Sequence, residues 1–246
     1  MVVFILVALA VSATSGGPQA TPQRLLYLTH SAGFRHDVLP LSHEVVRELG
    51  RTSGAFEATV TEDAGAISAV GLRDYDAVFF YTSGELPLTA AQKRSLLEFV
   101  AGGKGFVGAH SASDTFHDWP EYGEMIGGYF DGHPWHTSVG VRVEDADHPA
   151  TRHLQARFEM ADEIYQFRNW SRDRVHVLLS LDPASVDFSV DGVKRTDRDF
   201  ALAWTRQHGK GRVFYTALGH NPEVWRDERF TRHLLGGIRW AMGESK

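Results

Sequence analysis

Three apolar, strand-like runs in this chain each end on a histidine, and this repeated placement constrains the fold more than any other feature. The runs are LLYLTH, GFVGAH and VFYTALGH, which end at His30, His110 and His220. In an open α/β sheet the carboxyl ends of the parallel strands line the crevice where ligands bind. Imidazole titrates near neutral pH and coordinates metals. The three histidines therefore predict a functional site at one edge of a parallel sheet.

Strand-like and helix-like segments alternate through the first half of the chain, which predicts a doubly wound sheet. Helical periodicity is found from Val38 to Leu49, Thr89 is a good N-cap for a helix that ends near Val100, and a last helix is expected over 227–242. Strands are expected over 24–29, 56–60, 76–81, 105–109, 137–143, 175–181, 200–205 and 213–216. We predict a single, mostly parallel α/β domain over residues 24–243, with 111–136 as an irregular loop.

Charge and cysteine content exclude several functional classes. The net charge is −6 and there is no basic run, which argues against binding to nucleic acid or to anionic membrane surfaces. The chain has no cysteine, so disulfides, thiolate metal ligands and a cysteine nucleophile are excluded. A small molecule is the expected partner, and self-association into a homo-oligomer is left open.

The first residues have the pattern of a secretory signal. An apolar run from Val2 to Val11 is followed by small residues up to Ala13, and the run is too short to span a bilayer. The pattern departs from the usual signal because no basic residue precedes the run. We predict a signal peptide over 1–13 and a linker over 14–23. Export to the periplasm or the exterior follows, without membrane insertion after cleavage.

The segment Gly108 to Ala112 has the outline of a nucleophile elbow, in which small residues flank a side chain held at a sharp turn after a strand. Here His110 occupies the elbow position. Histidine can act as a base, a metal ligand or a hydrogen-bonding group, but it is a poor hydrolytic nucleophile. A purely structural histidine is the alternative.

The loop FDGHPWH carries two histidines three residues apart, His133 and His136. We predict that His136 joins His110 in binding a divalent metal ion, since imidazole is a common metal ligand. The alternative is a loop in which Trp135 packs and the histidines are solvated.

Other polar residues near these runs are candidates for acid–base chemistry or substrate binding. Glu163 lies among aromatic residues such as Tyr165, where a raised pKa would suit a general acid or base. Asp114 follows the elbow, and Arg35 offers a fork suited to a carboxylate or to two sugar hydroxyls. Each has a plainer interpretation as a surface or capping residue.

Taken together, the motifs LTHSAGFRH, FVGAHSASDTF, FDGHPWH, DEIYQF and GKGRVFYTALGHNPEVW resemble the ThuA-like (trehalose-utilisation) family over 24–243. The resemblance implies a flavodoxin-like α/β fold, similar to the class I glutamine amidotransferase domain. Amidotransferases place a cysteine at the elbow, so His110 and the absence of cysteine exclude that activity.

The same resemblance implies a role in sugar catabolism, with a sugar or a 3-keto glycoside as ligand. The implied catalytic residues are Glu163 or His110 as base, with His220 or a divalent cation stabilising an enolate. The residues expected to bind substrate are His30, Arg35, His36, Asp114, Trp135 and Tyr165. Isomerisation or bond cleavage of an oxidised glycoside is the first hypothesis. The alternatives are a non-catalytic exported sugar-binding or accessory protein and an ordinary glycoside hydrolase.

Overall fold

The structure is a computed structural model that describes residues 22–244. Its central feature is a nine-stranded mixed sheet. The strands are β1 (Gln23–Leu28), β2 (Phe56–Thr61), β3 (Ala77–Phe80), β4 (Gly105–Ala109), β5 (Tyr129–Phe130), β6 (Trp135–Val143), β7 (Arg157–Ile164), β8 (Phe167–Arg168), β9 (His176–Leu181), β10 (Ala201–His208) and β11 (Gly211–Thr216). The helices are α1 (Leu39–Ser53), α2 (Ala90–Ala101), α3 (Pro120–Ile126), α4 (Pro222–Arg226) and α5 (Glu228–Ala241). The predicted signal segment and residues 14–21 of the predicted linker lie outside the described residues.

The strand order is β2-β1-β3-β4-β11-β10-β9-β6-β7, with β5 and β8 forming a separate two-stranded ribbon. The strands from β2 to β11 in this order are parallel, and the remaining four continue the sheet in antiparallel fashion. The predicted flavodoxin-like α/β architecture is confirmed. Sequence alone did not show that the second half extends the sheet with antiparallel strands.

Alternating side chains of the central strands feed two hydrophobic cores, one on each face of the sheet. In β1, Leu25 and Tyr27 enter the core covered by α1 and α5, whereas Leu26 and Leu28 enter the core covered by α2 and α3. β3 is buried along its whole length, as a strand with both faces covered must be. The strand ends that carry the site therefore project from a sheet that is packed on both faces.

Local signals in the sequence set several helix boundaries. α1 ends at Gly54, which adopts a left-handed conformation with φ of 66°. Thr89 caps α2 in a reciprocal arrangement with Gln92, which confirms the predicted start of that helix. Between residues 22 and 244, no helix is both long enough and apolar enough to cross a bilayer.

The segment from Ser111 to His136 is more ordered than the predicted loop. It contains a 3₁₀ helix over His110–Asp114, then α3, β5 and the start of β6. Pro120 occupies the first turn of α3, where its missing N–H costs nothing. The short elements and dense aromatic content hid the periodicity that longer elements would show.

Candidate functional site

Strand direction explains why distant parts of the chain meet at one edge of the sheet. β4 and β11 are parallel neighbours, so the residues that follow them emerge at the same edge. β7 runs in the same direction, because three successive antiparallel pairings separate it from β10, which opposes β11. Glu163 near the end of β7 therefore lies at the edge that carries His110 and His220. His136, at the start of β6, stands opposite Glu163 in register.

A buried glutamate contacted by three imidazoles forms the centre of this edge, and we call it the histidine–glutamate cluster (Glu163, His110, His133 and His220). Glu163 Oε2 lies 3.4 Å from His110 Nε2 and 3.3 Å from His220 Nδ1. Its other oxygen, Oε1, lies 3.3 Å from His133 Nδ1. Only 10% of the Glu163 side chain is exposed. Three imidazoles around one carboxylate can transfer protons or bind a metal ion.

A backbone carbonyl fixes the orientation of the His110 ring. Its Nδ1 donates to the carbonyl of Ala217 over 2.8 Å, because a carbonyl can only accept. Its Nε2 therefore faces the cluster, 2.9 Å from the Tyr165 hydroxyl and 3.2 Å from His220 Nδ1. His110 is fully buried and has a φ of 46°, a left-handed conformation that non-glycine residues adopt at a cost of about 1–3 kcal/mol. This turn is the predicted elbow.

The contacts within the cluster determine its charges. Burial opposes ionisation of Glu163, but its contacts with the imidazoles of His110 and His220 outweigh burial and hold the pKa of Glu163 well below its usual range. The hydrogen bond to Glu163 raises the pKa of His220, against the effect of its partial burial. The raised pKa predicted for Glu163 from its aromatic neighbours is therefore wrong, because the imidazoles are closer to the carboxylate than the apolar rings.

His36 packs against the cluster as a neutral imidazole. Its ring centroid lies 4.8 Å from that of His110 and 5.2 Å from that of His220. Burial, together with the nearby His110 and His220, lowers the pKa of His36 to about 3. Burial likewise raises the pKa of Tyr165 well above its ordinary value, so this phenol keeps its proton at neutral pH.

Asp162 fixes the loop that carries His220. Its carboxylate accepts hydrogen bonds from the backbone amides of Gly219 over 2.6 Å and Asn221 over 3.0 Å, on either side of His220. Tyr81 and Trp225 donate to the carbonyl of Gly219, over 2.9 and 2.7 Å. Burial raises the pKa of Asp162, while His110 and the two amides act in the opposite direction. The position of His220 is therefore set from several sides.

A cavity of about 330 Å³ opens beside the cluster. This volume is at the lower end of the range of roughly 300–1,000 Å³ found for small-molecule sites. Its walls combine aromatic rings, imidazoles and two carboxylates: Phe34, His36, Asp114, Phe130, His133, Glu163, Tyr165 and His220. A depression of about 400 Å³ and another of about 260 Å³ lie elsewhere on the surface, and neither of them contains a residue of the cluster.

The two carboxylates of the cavity differ in how their oxygens are occupied. Both oxygens of Glu163 face imidazole nitrogens. Asp114 accepts one hydrogen bond from His117 Nε2 over 3.0 Å on Oδ1, and no residue between 22 and 244 donates to its Oδ2. Arg168 donates to the other nitrogen of His117, which fixes the tautomer that donates to Asp114. Asp114 therefore lines the cavity and has one carboxylate oxygen that accepts no hydrogen bond from the described residues.

The site also offers donor sets for a metal ion. Two groups of three side chains bring one donor atom each within 4.8 Å of one another, namely His36 with His110 and His220, and His136 with Glu163 and His220. The predicted metal ligands His110 and His136 fall in different groups, which share His220. His136 also pairs with Asn221, whose Oδ1 lies 3.0 Å from its Nε2.

Comparison with known proteins identifies the family. A family model described as trehalose utilisation, ThuA, matches residues 24–241. The chain belongs to the ThuA family. This membership gives the protein a role in sugar metabolism. A search of curated protein sequences gives no significant match.

Solved structures support the ThuA assignment. A ThuA-like protein from Bacteroides uniformis is 25% identical, with a TM-score of 0.75 and 96% of each chain covered. A second, from Parabacteroides merdae, is 20% identical, with a TM-score of 0.72 and 90% of each chain covered. A cytoplasmic protein from Salmonella typhimurium shares the fold at 12% identity and a TM-score of 0.60, over 89% of this chain and 98% of its own.

The ThuA fold gathers most of the predicted site residues. The predicted catalytic residues Glu163, His110 and His220 are mutual neighbours, although His110 is fully buried and does not line the cavity. Of the predicted substrate-binding residues, His36, Asp114 and Tyr165 line the cavity. Glu163 lies near the end of β7, which covers Arg157–Ile164.

Three predicted substrate-binding residues lie apart from the cavity wall. His30 donates to the carbonyl of Glu62 over 2.9 Å, and Arg35 forms a two-pronged ion pair with the Glu62 carboxylate. Trp135 is a core residue that donates to the carbonyl of Asp187 and packs edge-on against Phe200. Trp135 therefore packs in the core, as the alternative interpretation of the FDGHPWH loop expected. His36 occupies the place expected for His30.

Sequence reasoning missed several residues of this ThuA site. His133 was noted only as part of a loop, and Asp162 and Phe34 were not singled out. Asp162 is adjacent to Glu163 in a strand, so alternation alone would send it to the opposite face; only the loop after β11 reveals its partners. The available signal for Phe34 was its place in the motif LTHSAGFRH, between His30 and His36.

Proposed function

We propose that this protein is an enzyme that rearranges or cleaves a 3-keto glycoside by removing an acidic hydrogen from the carbon next to the ketone. The observation that carries the proposal is the cavity in which the charged Glu163–His220 pair and the free oxygen of Asp114 face the same volume. An electrophile and a base on one cavity wall are what enolisation of a ketone requires. The family's role in sugar metabolism supplies the substrate class.

His220 is suited to polarise the ketone. Its Nδ1 is paired with Glu163, and no described residue bonds to its Nε2. Because the pKa of His220 is raised by that pairing, the imidazolium form persists closer to neutral pH. A cationic N–H stabilises the negative oxygen that develops as the enolate forms.

Asp114 is the better base of the two cavity carboxylates. Glu163 already has an imidazole on each oxygen, and its lowered pKa makes it a weak proton acceptor. Asp114 keeps Oδ2 unoccupied by the residues from 22 to 244 and is positioned through His117. The role of base therefore moves from Glu163 or His110 to Asp114, with Glu163 holding His220.

The chemistry balances without an external oxidant. Asp114 takes the proton from C2 of a 3-keto sugar, and the electrons of that C–H bond form the enolate. The enolate then expels the substituent at C1, so that the C1–O bond breaks and a C1=C2 double bond forms. The leaving oxygen takes up a proton. Return of a proton to C2 without cleavage would instead give isomerisation or simple exchange.

The decisive experiment compares trehalose with 3-keto-trehalose in D₂O. We expect deuterium to replace the hydrogen next to the ketone, followed by release of glucose, for the oxidised sugar only; NMR follows both events. Cleavage of both sugars at similar rates would favour an ordinary hydrolase. Tight binding of the keto sugar without exchange or product would favour the binding-protein alternative.

Three variants assign the roles. We expect Asp114→Asn to abolish exchange and Glu163→Gln to slow it by roughly 10²–10⁴-fold, the range for a positioned acid or base. Glu62→Gln is the matched control, since Glu62 is a carboxylate paired with Arg35 away from the cavity. Full exchange activity in Asp114→Asn would contradict its role as base.

A further inference from the structure

We infer that His110, His220 and Glu163 form a three-ligand site for a tetrahedral divalent cation of the Zn²⁺ type, with its fourth position open to the cavity. The donor atoms are His110 Nε2, His220 Nδ1 and Glu163 Oε2. The inference concerns the same side chains as the proposed function, but it does not depend on the sugar. Metal binding can therefore be measured with no substrate present.

The distances between the donor atoms carry the inference. The three edges of the triangle are 3.2 Å (His110–His220), 3.3 Å (His220–Glu163) and 3.4 Å (His110–Glu163). A tetrahedral ion with bonds of about 2.0–2.1 Å sets its ligand atoms roughly 3.3–3.4 Å apart. Octahedral Mg²⁺ with bonds of similar length requires only about 2.8–3.0 Å. The triangle has the size of one face of a zinc tetrahedron.

The hydrogen bonding around His110 provides a second, independent argument. Its Nδ1 carries the proton given to the Ala217 carbonyl, so in the neutral ring Nε2 has only a lone pair. That lone pair lies 2.9 Å from the Tyr165 hydroxyl and 3.4 Å from the Glu163 carboxylate, which is itself an acceptor. A cation between the lone pair and that carboxylate converts the repulsion into coordination.

The surroundings match those of metal-bound histidines. A ligating imidazole usually donates its other N–H to a backbone carbonyl or carboxylate, as His110 does to Ala217. Asp162 fixes the loop of His220 through two amides, and His133 holds the second oxygen of Glu163. Both Glu163 and His220 line the cavity. Two histidines and one glutamate with an open position are the donor set of catalytic rather than structural zinc sites.

When bound, such an ion would polarise the ketone oxygen of a substrate in the cavity. It would take over that task from protonated His220, and Asp114 would keep its place as base. His136, the ligand predicted from the sequence, would lie outside the triangle, paired with Asn221.

The test is a zinc titration of the full chain after chelator treatment, followed by elemental analysis after dialysis. We expect one Zn²⁺ per chain, and binding weakened by more than about 100-fold in Glu163→Gln and in His220→Gln, since even loss of an outer-shell partner costs roughly 10–100-fold. His30→Gln and His136→Gln are the matched controls and should bind as the wild type does. Circular dichroism confirms that each variant is folded.

Co²⁺ substitution provides a readout of geometry that does not depend on activity. Four-coordinate Co²⁺ absorbs strongly in the visible range, whereas six-coordinate Co²⁺ absorbs weakly, and we expect the strong spectrum. Less than stoichiometric metal, a weak six-coordinate spectrum, or loss of binding in His136→Gln would each overturn the inference. Turnover of 3-keto-trehalose by the fully chelated protein would leave the proposed function standing, so the two can fail separately.

Discussion

Phe34 exposes an aromatic ring at the cavity, with 64% of its surface accessible. An aromatic ring beside polar groups offers a flat apolar surface for the C–H face of a sugar. We expect Phe34→Ala to raise KM for 3-keto-trehalose several-fold and to leave kcat nearly unchanged, because an apolar ring takes no part in proton transfer in this scheme. Steady-state kinetics check this. Val70→Ala is the control, since Val70 is equally exposed but does not line the cavity; an equal effect of both changes would argue against a binding role for Phe34.

Asp162 acts on the substrate only through His220. In Asp162→Asn one of the two amide contacts would meet an NH₂ group in place of an oxygen, which shifts the loop of Gly219 to Asn221. We expect kcat to fall by at least about 10-fold, as for misplaced catalytic groups, with a smaller effect on KM. Asp145→Asn serves as control because Asp145 also accepts from two backbone amides, but these belong to Asp147 and His148 rather than to the loop of His220. If both variants lose activity in proportion to lost thermal stability, Asp162 has only a structural role.

For individual residues, the sequence predicted which side chains lie at the site better than it predicted which of them contact each other. The strand-end rule located His110 and His220, because parallel strands place their following residues at one edge. It could not separate His30 from His36, since six residues of loop decide which ring turns towards β4. The pKa of Glu163 was mispredicted because its partners come from β4, β11 and the loop before β6, far away in the sequence.

Among the structural elements, the loop that carries Phe34 and His36 depends on a close backbone contact. A Cβ at Gly84 would lie 2.5 Å from the backbone nitrogen of Gly33, and Gly84 has a φ of 73°. We expect Gly84→Ala to lower the free energy of unfolding by more than the roughly 1–3 kcal/mol of left-handed strain alone, because backbone must also move. Thermal unfolding measures this. Gly54→Ala is the control: its φ is 66°, but a Cβ there meets open space, so the loss should be smaller.

Elements with clean periodicity were predicted closely, and charged elements were not. β4 was predicted with its exact bounds, and the start of α2 followed from Thr89. β7 was missed because its sequence, RFEMADEI, places charged residues along an edge strand and turns two carboxylates inward. Those carboxylates belong to the site. The alternation of apolar and polar residues that identifies a strand therefore fails here, because functional residues occupy positions that apolar residues would otherwise fill.

For the whole molecule, two buried histidines predict sensitivity to acid. Burial lowers the pKa of His233 to about 3 and that of His148 to about 4. His233 lies in the core, where its ring on α5 packs against Phe214 of β11. Its Nδ1 donates to the Ala150 carbonyl over 2.9 Å, and its buried Nε2 has no hydrogen-bond partner among the described residues.

In the unfolded chain the imidazoles of His233 and His148 bind a proton below about pH 6.5, whereas in the folded protein they resist protonation until the pH is much lower. Stability from these histidines is therefore full above pH 6.5 and falls as the pH drops towards 4, by up to about 1.4 kcal/mol per pH unit for each histidine. We expect His233→Asn, which keeps a donor for Ala150, to shift the acid-unfolding midpoint to lower pH. Urea unfolding at pH 7 and pH 5 measures the change. An unaltered pH dependence in the variant would show that His233 does not contribute to acid sensitivity.

The placement of β11 has a consequence for how the chain is made. This last strand inserts between β4 and β10, in the middle of the sheet. About 100 residues separate β4 from β11, so a ribosome working at roughly 5–20 residues per second needs about 5–20 s to deliver the missing neighbour. During that interval β4 presents an unpaired apolar edge, the kind of surface that recruits other strands. Maturation of the cluster must therefore be a late event in biogenesis, and chaperone dependence should be greatest while the chain is still being synthesised.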